Sequence, residues 1–249
     1  MRDLSDYSEK YSKNNFEEYK VEYRRRKVIE FIEKYNPDHI LEIGCGMDPL
    51  FMHYEKASYT LVEPSTIFYE NARKLVGKRK DIQCICGFFE EVATELKSHY
   101  DMVICSSLLH EVEKPEDLLD HIKQICSADT IVHINVPNAN SLHRILGQKM
   151  GVIADVHEMS ENNIAFQQNH VYDLKNFKDI VLRSGFEILD EGSFFVKPFS
   201  HKQMYQMLEM GIIDQTVLEG LYLMGEELPE YGSELYLNCR IGEENKSDE

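Results

Sequence analysis

The chain has no tryptophan, only seven prolines, and six cysteines of which none form a Cys-x-x-Cys pair. Cys45, Cys84, Cys86, Cys105, Cys126 and Cys239 therefore fit buried thiols in a reducing compartment better than a disulfide framework or a zinc site. No apolar run approaches the ~20 residues of a membrane span. The stretch Met1-Arg2-Asp3-Leu4-Ser5-Asp6 has no apolar segment behind its charges, so the expectation is a cytoplasmic protein without a secretory signal or membrane contact. Positive charge is also scarce. Against 44 acidic residues stand 27 Lys and Arg, for a net charge of −17. Such a surface repels phosphate backbones, so nucleic acid is not an expected partner. The two dense basic runs, 24–26 and 78–80, read as solvated helix face or loop. His143, Asp155, His157 and Glu158 share one loop without metal-ligand spacing, so no metal is expected.

What is present is material for a core: 43% apolar residues and 10% aromatic in 249 positions. That suits one domain with a cap. Residues 1–36 lack glycine and proline, and Phe16, Tyr19, Tyr23, Val28, Phe31 and Ile32 approximate a helical stripe ended by Asn36-Pro37. From residue 38 short apolar runs alternate with helical spacing. Strands are expected over 39–43, 59–62, 82–86, 102–105, 130–136, 186–189 (extending toward 195) and 235–241. Helices are expected over 49–56, 65–76, 90–98, 115–125, 173–184 and within 199–225. This alternation predicts an α/β fold with a doubly wound, mostly parallel, seven-stranded sheet. The domain plan is a helical cap over 1–36, a main domain over 37–241 with substrate-side insertions at 138–170 and 197–232, and a disordered tail over 242–249. Ligands of such sheets bind beyond the carboxyl ends of the strands.

One stretch organises the chain. Ile40 to Asp48 reads as a strand running into a glycine turn, in which Gly44 and Gly46 remove the Cβ atoms that would block a ligand. About 20 residues on, Leu61-Val62-Glu63-Pro64 ends a second strand in a carboxylate placed to accept ribose hydroxyls. Glu42-x-Gly44-x-Gly46 and Glu63 resemble the first two motifs of the class I S-adenosylmethionine-dependent methyltransferases, over roughly 38–241, with Asp48 in place of the family's third glycine. The resemblance implies a Rossmann-like fold with an N-terminal helical lid and S-adenosyl-L-methionine as cofactor, leaving S-adenosyl-L-homocysteine. It implies cofactor contacts from Glu42, Gly44, Cys45, Gly46, Glu63 and Pro64. It implies others from Gly87, Phe88, Phe89 and Glu90 around the adenine, from Ser106 after the fourth strand, and from Tyr19 or Arg24 on the cap.

Within Ser106-Ser107-Leu108-Leu109-His110, His110 is the candidate general base, because imidazole accepts a proton near neutrality. An anionic acceptor needs no base, and His143, Arg144 and Lys197 would then orient it. The blocks 135–144, 170–173 and 195–199 resemble methyltransferases of bacterial surface-polysaccharide (capsule) pathways. That resemblance implies a small polar acceptor, such as a sugar-nucleotide, phosphorylated or phosphoramidate intermediate, met by Asn138, Asn140, His143, Arg144, His170 and Lys197. Two other readings stay open. A dinucleotide oxidoreductase would need glycine where Pro49 stands. A non-catalytic, cofactor-binding interaction subunit would keep the same motifs.

Overall fold

The computed structural model describes residues 16–96, 99–160, 163–164 and 166–242. The first fifteen residues of the expected cap, the last two of the expected helix over 90–98, and residues 243–249 of the expected tail lie outside the described residues.

The chain opens with helix α1 (Glu17–Tyr35), which stops at Asn36. Asn36 adopts φ 48°, a left-handed conformation that asparagine tolerates, and its N–H closes on the Ile32 carbonyl at 2.8 Å. There follow β1 (His39–Ile43), a 3-10 turn (Leu50–Met52), β2 (Ser58–Glu63), α2 (Thr66–Val76), β3 (Ile82–Cys86), α3 (Phe89–Val92), β4 (Met102–Ser106), α4 (Pro115–Ile125) and β5 (Ile131–Pro137). The second half contains α5 (Leu142–Lys149), α6 (Leu174–Arg183), β6 (Phe186–Phe194), α7 (His201–Glu209), α8 (Gln215–Glu227) and β7 (Glu234–Ile241).

The strands form one seven-stranded sheet in the order β3-β2-β1-β4-β5-β7-β6. The pairs from β3 to β5 are parallel, and β7 runs antiparallel to both its neighbours. Alternate residues of the central strands point to opposite faces, and both faces are covered. Ile40, Met102 and Ile104 pack with Val28 and Ile32 of α1. Leu41, Ile43, Val103 and Cys105 pack with Leu118 and Ile122 of α4 and with Phe177 and Val181 of α6. The expected sheet is thus present, with its one reversed strand at β7.

Four local expectations differ from the structure. The helix expected over 49–56 is only the turn Leu50–Met52, because Pro49 sits extended at ψ 144°. The helix expected over 90–98 begins at Phe89 and gives way after Val92 to a 3-10 turn, Ala93–Glu95. The helical region expected over 199–225 is two helices. Gly211 at φ 66° follows the first, and the Asp214 side chain caps the second by accepting from Val217 N–H at 3.1 Å. Helix α5 lies in the stretch 138–170 that showed no periodicity. Its Leu142, Ile145 and Leu146 share one face at helical spacing but are only half-buried.

Helix α8 offers a stability test. A Cβ on buried Gly225 would stand 2.9 Å from the Phe194 Cα and the Ser193 carbonyl oxygen, whereas one on exposed Gly220 meets nothing within 4 Å. Gly225→Ala is expected to destabilise by about 1–3 kcal/mol through overpacking. Gly220→Ala is expected to stabilise by about 0.5–1 kcal/mol through helix propensity. Urea denaturation of both variants checks the pair.

Candidate functional site

Parallel pairing places the carboxyl ends of β1 to β5 along one edge. Between β1 and β4 the connections leave in opposite directions, and there a cavity of about 1040 Å³ opens. It is lined by Glu42 and Ile43 of β1, by residues 44–48, by Glu63, Pro64 and Ser65 after β2, by Phe88 to Glu91, and by Ser106 to Leu108. Gly44 and Gly46 take φ of 75° and 58°, which a side chain would strain. Gly44 N–H donates to the Val62 carbonyl at 2.9 Å. One oxygen of Glu63 accepts from Gly46 N–H at 3.1 Å and the other from Ser65 N–H at 2.8 Å. The carboxylate therefore clamps the glycine turn to the end of β2. A Cβ on Gly46 would meet nothing within 4 Å, so the turn borders open space.

Glu42 accepts Leu50 N–H with both oxygens, at 3.3 and 3.1 Å. Burial pushes its carboxyl up to about 8; the Leu50 N–H pulls against this and the neighbouring Glu63 charge adds to it. Cys45 lines the cavity with its thiol 3.8 Å from Glu63, and burial above all, with Glu42 and Glu63 adding to it, raises it far above the usual thiol range. Phe88, Phe89 and Glu90 all reach the cavity, Phe89 as part of the core. Gly87 lies behind it and donates its N–H to the Glu63 carbonyl at 3.2 Å.

Two residues in left-handed conformations feed the site. Ser107 takes φ 54° and is held there by the Asn135 side-chain oxygen, 2.7 Å from its N–H. Phe195, at φ 61° and 1% exposed, is a true outlier for a bulky residue. Its carbonyl accepts from Lys197 N–H at 3.0 Å and Ser233 N–H at 2.9 Å, a tight turn that directs Lys197 to the cavity.

The other half of the cavity is basic. Lys20, Arg24, His143, Arg144, Lys197 and His201 line it. Arg24 is bonded through Nε to Glu234 at 2.7 Å and through a second, shorter bond to the same carboxylate. Burial would raise the Glu234 carboxyl, but the Arg24 charge and hydrogen bond, with Lys20 and His110 adding, bring it down to about 2. Arg144 is used differently from the expected fork on an acceptor anion. Its Nε donates to the Val156 carbonyl at 2.8 Å and a terminal nitrogen to the Glu158 carbonyl at 2.6 Å, so it fastens the loop after α5.

Five expected contacts lie outside the cavity lining, Gly87 and four others. The Tyr19 ring packs on Phe16 at 5.5 Å, in the cluster around Phe195. His110 is 2% exposed, with Nε2 3.9 Å from Glu111, and its carbonyl accepts from Asn169 and His170 N–H. Asn140 gives its N–H to the Asn138 side chain. His170 stacks on Tyr172 at 6.0 Å. Asn138 reaches the cavity wall but is a loop former, its amide donating to the Glu230 and Gly232 carbonyls at 2.9 and 2.8 Å.

Lys20, Ser107, Asn135 and His201 were not singled out from the sequence. Lys20 and Arg24 are four apart on α1 and so share a face. The capping box Ser200-x-x-Gln203 places His201 in the first turn of α7. Ser107 and Asn135 had no local signal. Among the described residues no group of three or more His, Cys, Asp or Glu could hold a metal, and no helix is long and apolar enough to cross a membrane.

A glycine turn clamped by a strand-end carboxylate, opening on a cavity at the switch point of a doubly wound sheet, is the arrangement of a nucleotide-type ligand site. The profile of a family described as a methyltransferase domain matches residues 17–191, and the chain belongs to that family. No curated protein matches it in sequence. Among solved structures it is similar in fold to the plantazolicin methyltransferase BamL, in complex with a triazolic desmethylPZN analog and SAH. Identity there is 14%, coverage 96% of this chain and 97% of that chain, and the TM-score 0.58. It is likewise similar to an S-adenosylmethionine-dependent methyltransferase from Clostridium acetobutylicum (9%, covering 89% and 92%, TM-score 0.58). A putative sarcosine dimethylglycine methyltransferase from Galdieria sulphuraria shares the fold too (10%, covering 88% and 85%, TM-score 0.59).

Arg24→Met leaves the Glu234 carboxylate buried without its main partner and is expected to destabilise by about 3–5 kcal/mol near pH 7. Glu234 is lowered in the folded state, so the pair contributes above the ordinary carboxylate range, and this contribution fades as pH falls toward about 2. Denaturation of wild type and variant at pH 7 and pH 3 should show the difference shrinking at the lower pH.

Proposed function

We propose that the protein transfers the methyl group of S-adenosyl-L-methionine to an oxygen, or a nitrogen, of a small polar acceptor, releasing S-adenosyl-L-homocysteine. The observation that carries this reading is the division of one cavity by charge. Glu42 and Glu63 line it at the glycine turn, where Arg25 pairs with Asp48; Lys20, Arg24, His143, Lys197 and His201 line it from other segments, with Glu17 beside Lys20 and Arg24. The acidic half suits a cationic sulfonium and the basic half a negatively charged acceptor. The volume is at the upper end of the ~300–1,000 Å³ of ligand pockets, which suits two molecules side by side.

The donor set fits the cofactor. The backbone of 44–46 would approach it closely, Glu63 would accept from the ribose hydroxyls while keeping its grip on Gly46, and Glu42 would set a negative charge near the cationic end. Phe88 and Phe89 offer apolar surface for the adenine, with Glu90 as hydrogen-bond acceptor. When bound, the cofactor supplies an electrophilic methyl group that an acceptor lone pair displaces in line. The chain's own task is to orient the acceptor and to exclude water. An anionic acceptor requires no proton removal, in keeping with the burial of His110 away from the cavity. The finer reading, supported by the sequence blocks 135–144, 170–173 and 195–199, is that the acceptor is a sugar-nucleotide, phosphorylated or phosphoramidate intermediate of surface-polysaccharide biosynthesis. Incubation with cofactor carrying a labelled methyl group and a panel of such compounds, against neutral sugars and amines, tests this. Label confined to the neutral compounds refutes the finer reading.

Two binding predictions follow from the acidic half. Glu63→Ala is expected to weaken S-adenosyl-L-homocysteine binding by about 1–3 kcal/mol in calorimetry, since the lost hydrogen bonds involve a charge. The Glu42 carboxyl, raised to about 8, must release its proton to face a cation. Affinity for S-adenosyl-L-methionine is therefore expected to fall as pH drops below 8, by up to about tenfold per unit. The dependence should flatten in Glu42→Gln.

A further inference from the structure

At the basic end of the cavity one cation stands apart. Lys197 is 0% exposed, and among the described residues its ammonium makes one side-chain hydrogen bond, to the Phe199 carbonyl at 3.0 Å, and no ion pair. Arg24 and Lys20 differ, for both share Glu234 and Glu17. A buried lysine amine without a carboxylate partner gives up its charge readily and regains it where an anion compensates it. The turn at Phe195, in a conformation that itself costs energy, is what places it there.

Two histidines stand beside it. His143 and His201 stack with ring centroids 6.5 Å apart, and the far side of His201 lies 5.6 Å from the Phe16 ring. The Nδ1 of His143 is fully enclosed and, among the described residues, has no hydrogen-bond partner. Each ring belongs to the first turn of a helix, α5 for His143 and α7 for His201. Two helix N-termini, with their partial positive charge, therefore converge where the unpaired lysine lies. Lysine, histidine pair and helix ends reach this point from three separate segments, and all three side chains line the cavity.

We propose that Lys197, His143 and His201 form a phosphoryl-binding subsite that holds the anionic end of the methyl acceptor. This deepens the methyltransferase reading and rests on it for the identity of the ligand as acceptor. A phosphoryl group, with two charges and several acceptor oxygens, matches donors arriving from several directions better than a planar carboxylate does.

The subsite takes its ligand with protons. Burial, foremost, keeps His143, His201 and Lys197 neutral-leaning in the empty cavity, and their mutual repulsion adds to this together with Lys20 on α1. Arg144 on α5 acts in the same direction on His143 and Lys197, and Arg24 on His201. Glu17 on α1 opposes it at Lys197. An entering dianion reverses the balance and favours the protonated forms, so binding consumes protons and strengthens as pH falls.

Calorimetry of the full chain with inorganic phosphate, sulfate, acetate and S-adenosyl-L-homocysteine tests this. Phosphate itself gains a proton over this range, so sulfate, which keeps both charges, serves as the pH probe: it is expected to bind at least about tenfold more tightly at pH 6 than at pH 8. In buffers of different ionisation enthalpy it should show net proton uptake. Acetate is expected to bind at least about tenfold more weakly than phosphate, for want of the second charge. Lys197→Met, which replaces a buried charge by an apolar chain of similar length and so should fold at least as stably, is expected to lower phosphate affinity about tenfold or more while leaving S-adenosyl-L-homocysteine affinity unchanged. His201→Gln should reduce the proton uptake. Phosphate binding that is absent in wild type, unaltered in Lys197→Met, or matched by acetate overturns the subsite. Loss of S-adenosyl-L-homocysteine binding by wild-type protein would instead strike the methyltransferase reading and leave the phosphate result to be judged alone.

Discussion

The site depends on a single carboxylate. Glu63 receives Gly46 N–H on one oxygen and Ser65 N–H on the other, so the turn after β1 and the start of α2 are fixed by one group at the end of β2. The parallel register of β1 with β2, from His39 opposite Ser58 to Ile43 opposite Val62, brings that group within reach of the turn. Shifting the register by one residue would turn Glu63 to the other face of the sheet and leave the turn without its clamp. Register, clamp and cavity are one arrangement.

Charge then divides the cavity. Carboxylates gather on the side of the glycine turn because the ends of β1 and β2 carry them. Cations gather opposite because α1, the segment after β6 and the first turns of α5 and α7 meet there. A molecule with a net charge of −17 thus presents a basic wall in its interior, where low dielectric strengthens each interaction relative to the surface. The overall charge, which speaks against nucleic acid, says nothing about this wall.

The glycine turn, Glu63 and the alternation of elements were legible because each is a local signal. Gly44 and Gly46 stand next to the apolar strand they follow, and Glu63 ends the next one. The basic wall was legible only in part. His143 and Lys197 were candidates as polar residues near strand ends, but Lys20 and His201 join them only through the packing of α1 and α7, which no spacing records. Arg144 shows the limit of residue type as a guide: a guanidinium suited to phosphate is engaged by two loop carbonyls. His110 shows another. It follows β4 in sequence, yet the chain turns at Ser107, and the imidazole comes to rest beneath the cavity wall. Helix α5 is two turns long and only half-buried, so its apolar spacing is short.

The first helix was expected to act as a lid, and its fastenings bear on how a ligand reaches the interior. Arg24 pairs with Glu234 away from water, and one residue on, Arg25 pairs with Asp48 at the glycine turn. Swinging this helix outward would break both ion pairs together. The same two ion pairs tie this helix at once to the last strand and to the glycine turn.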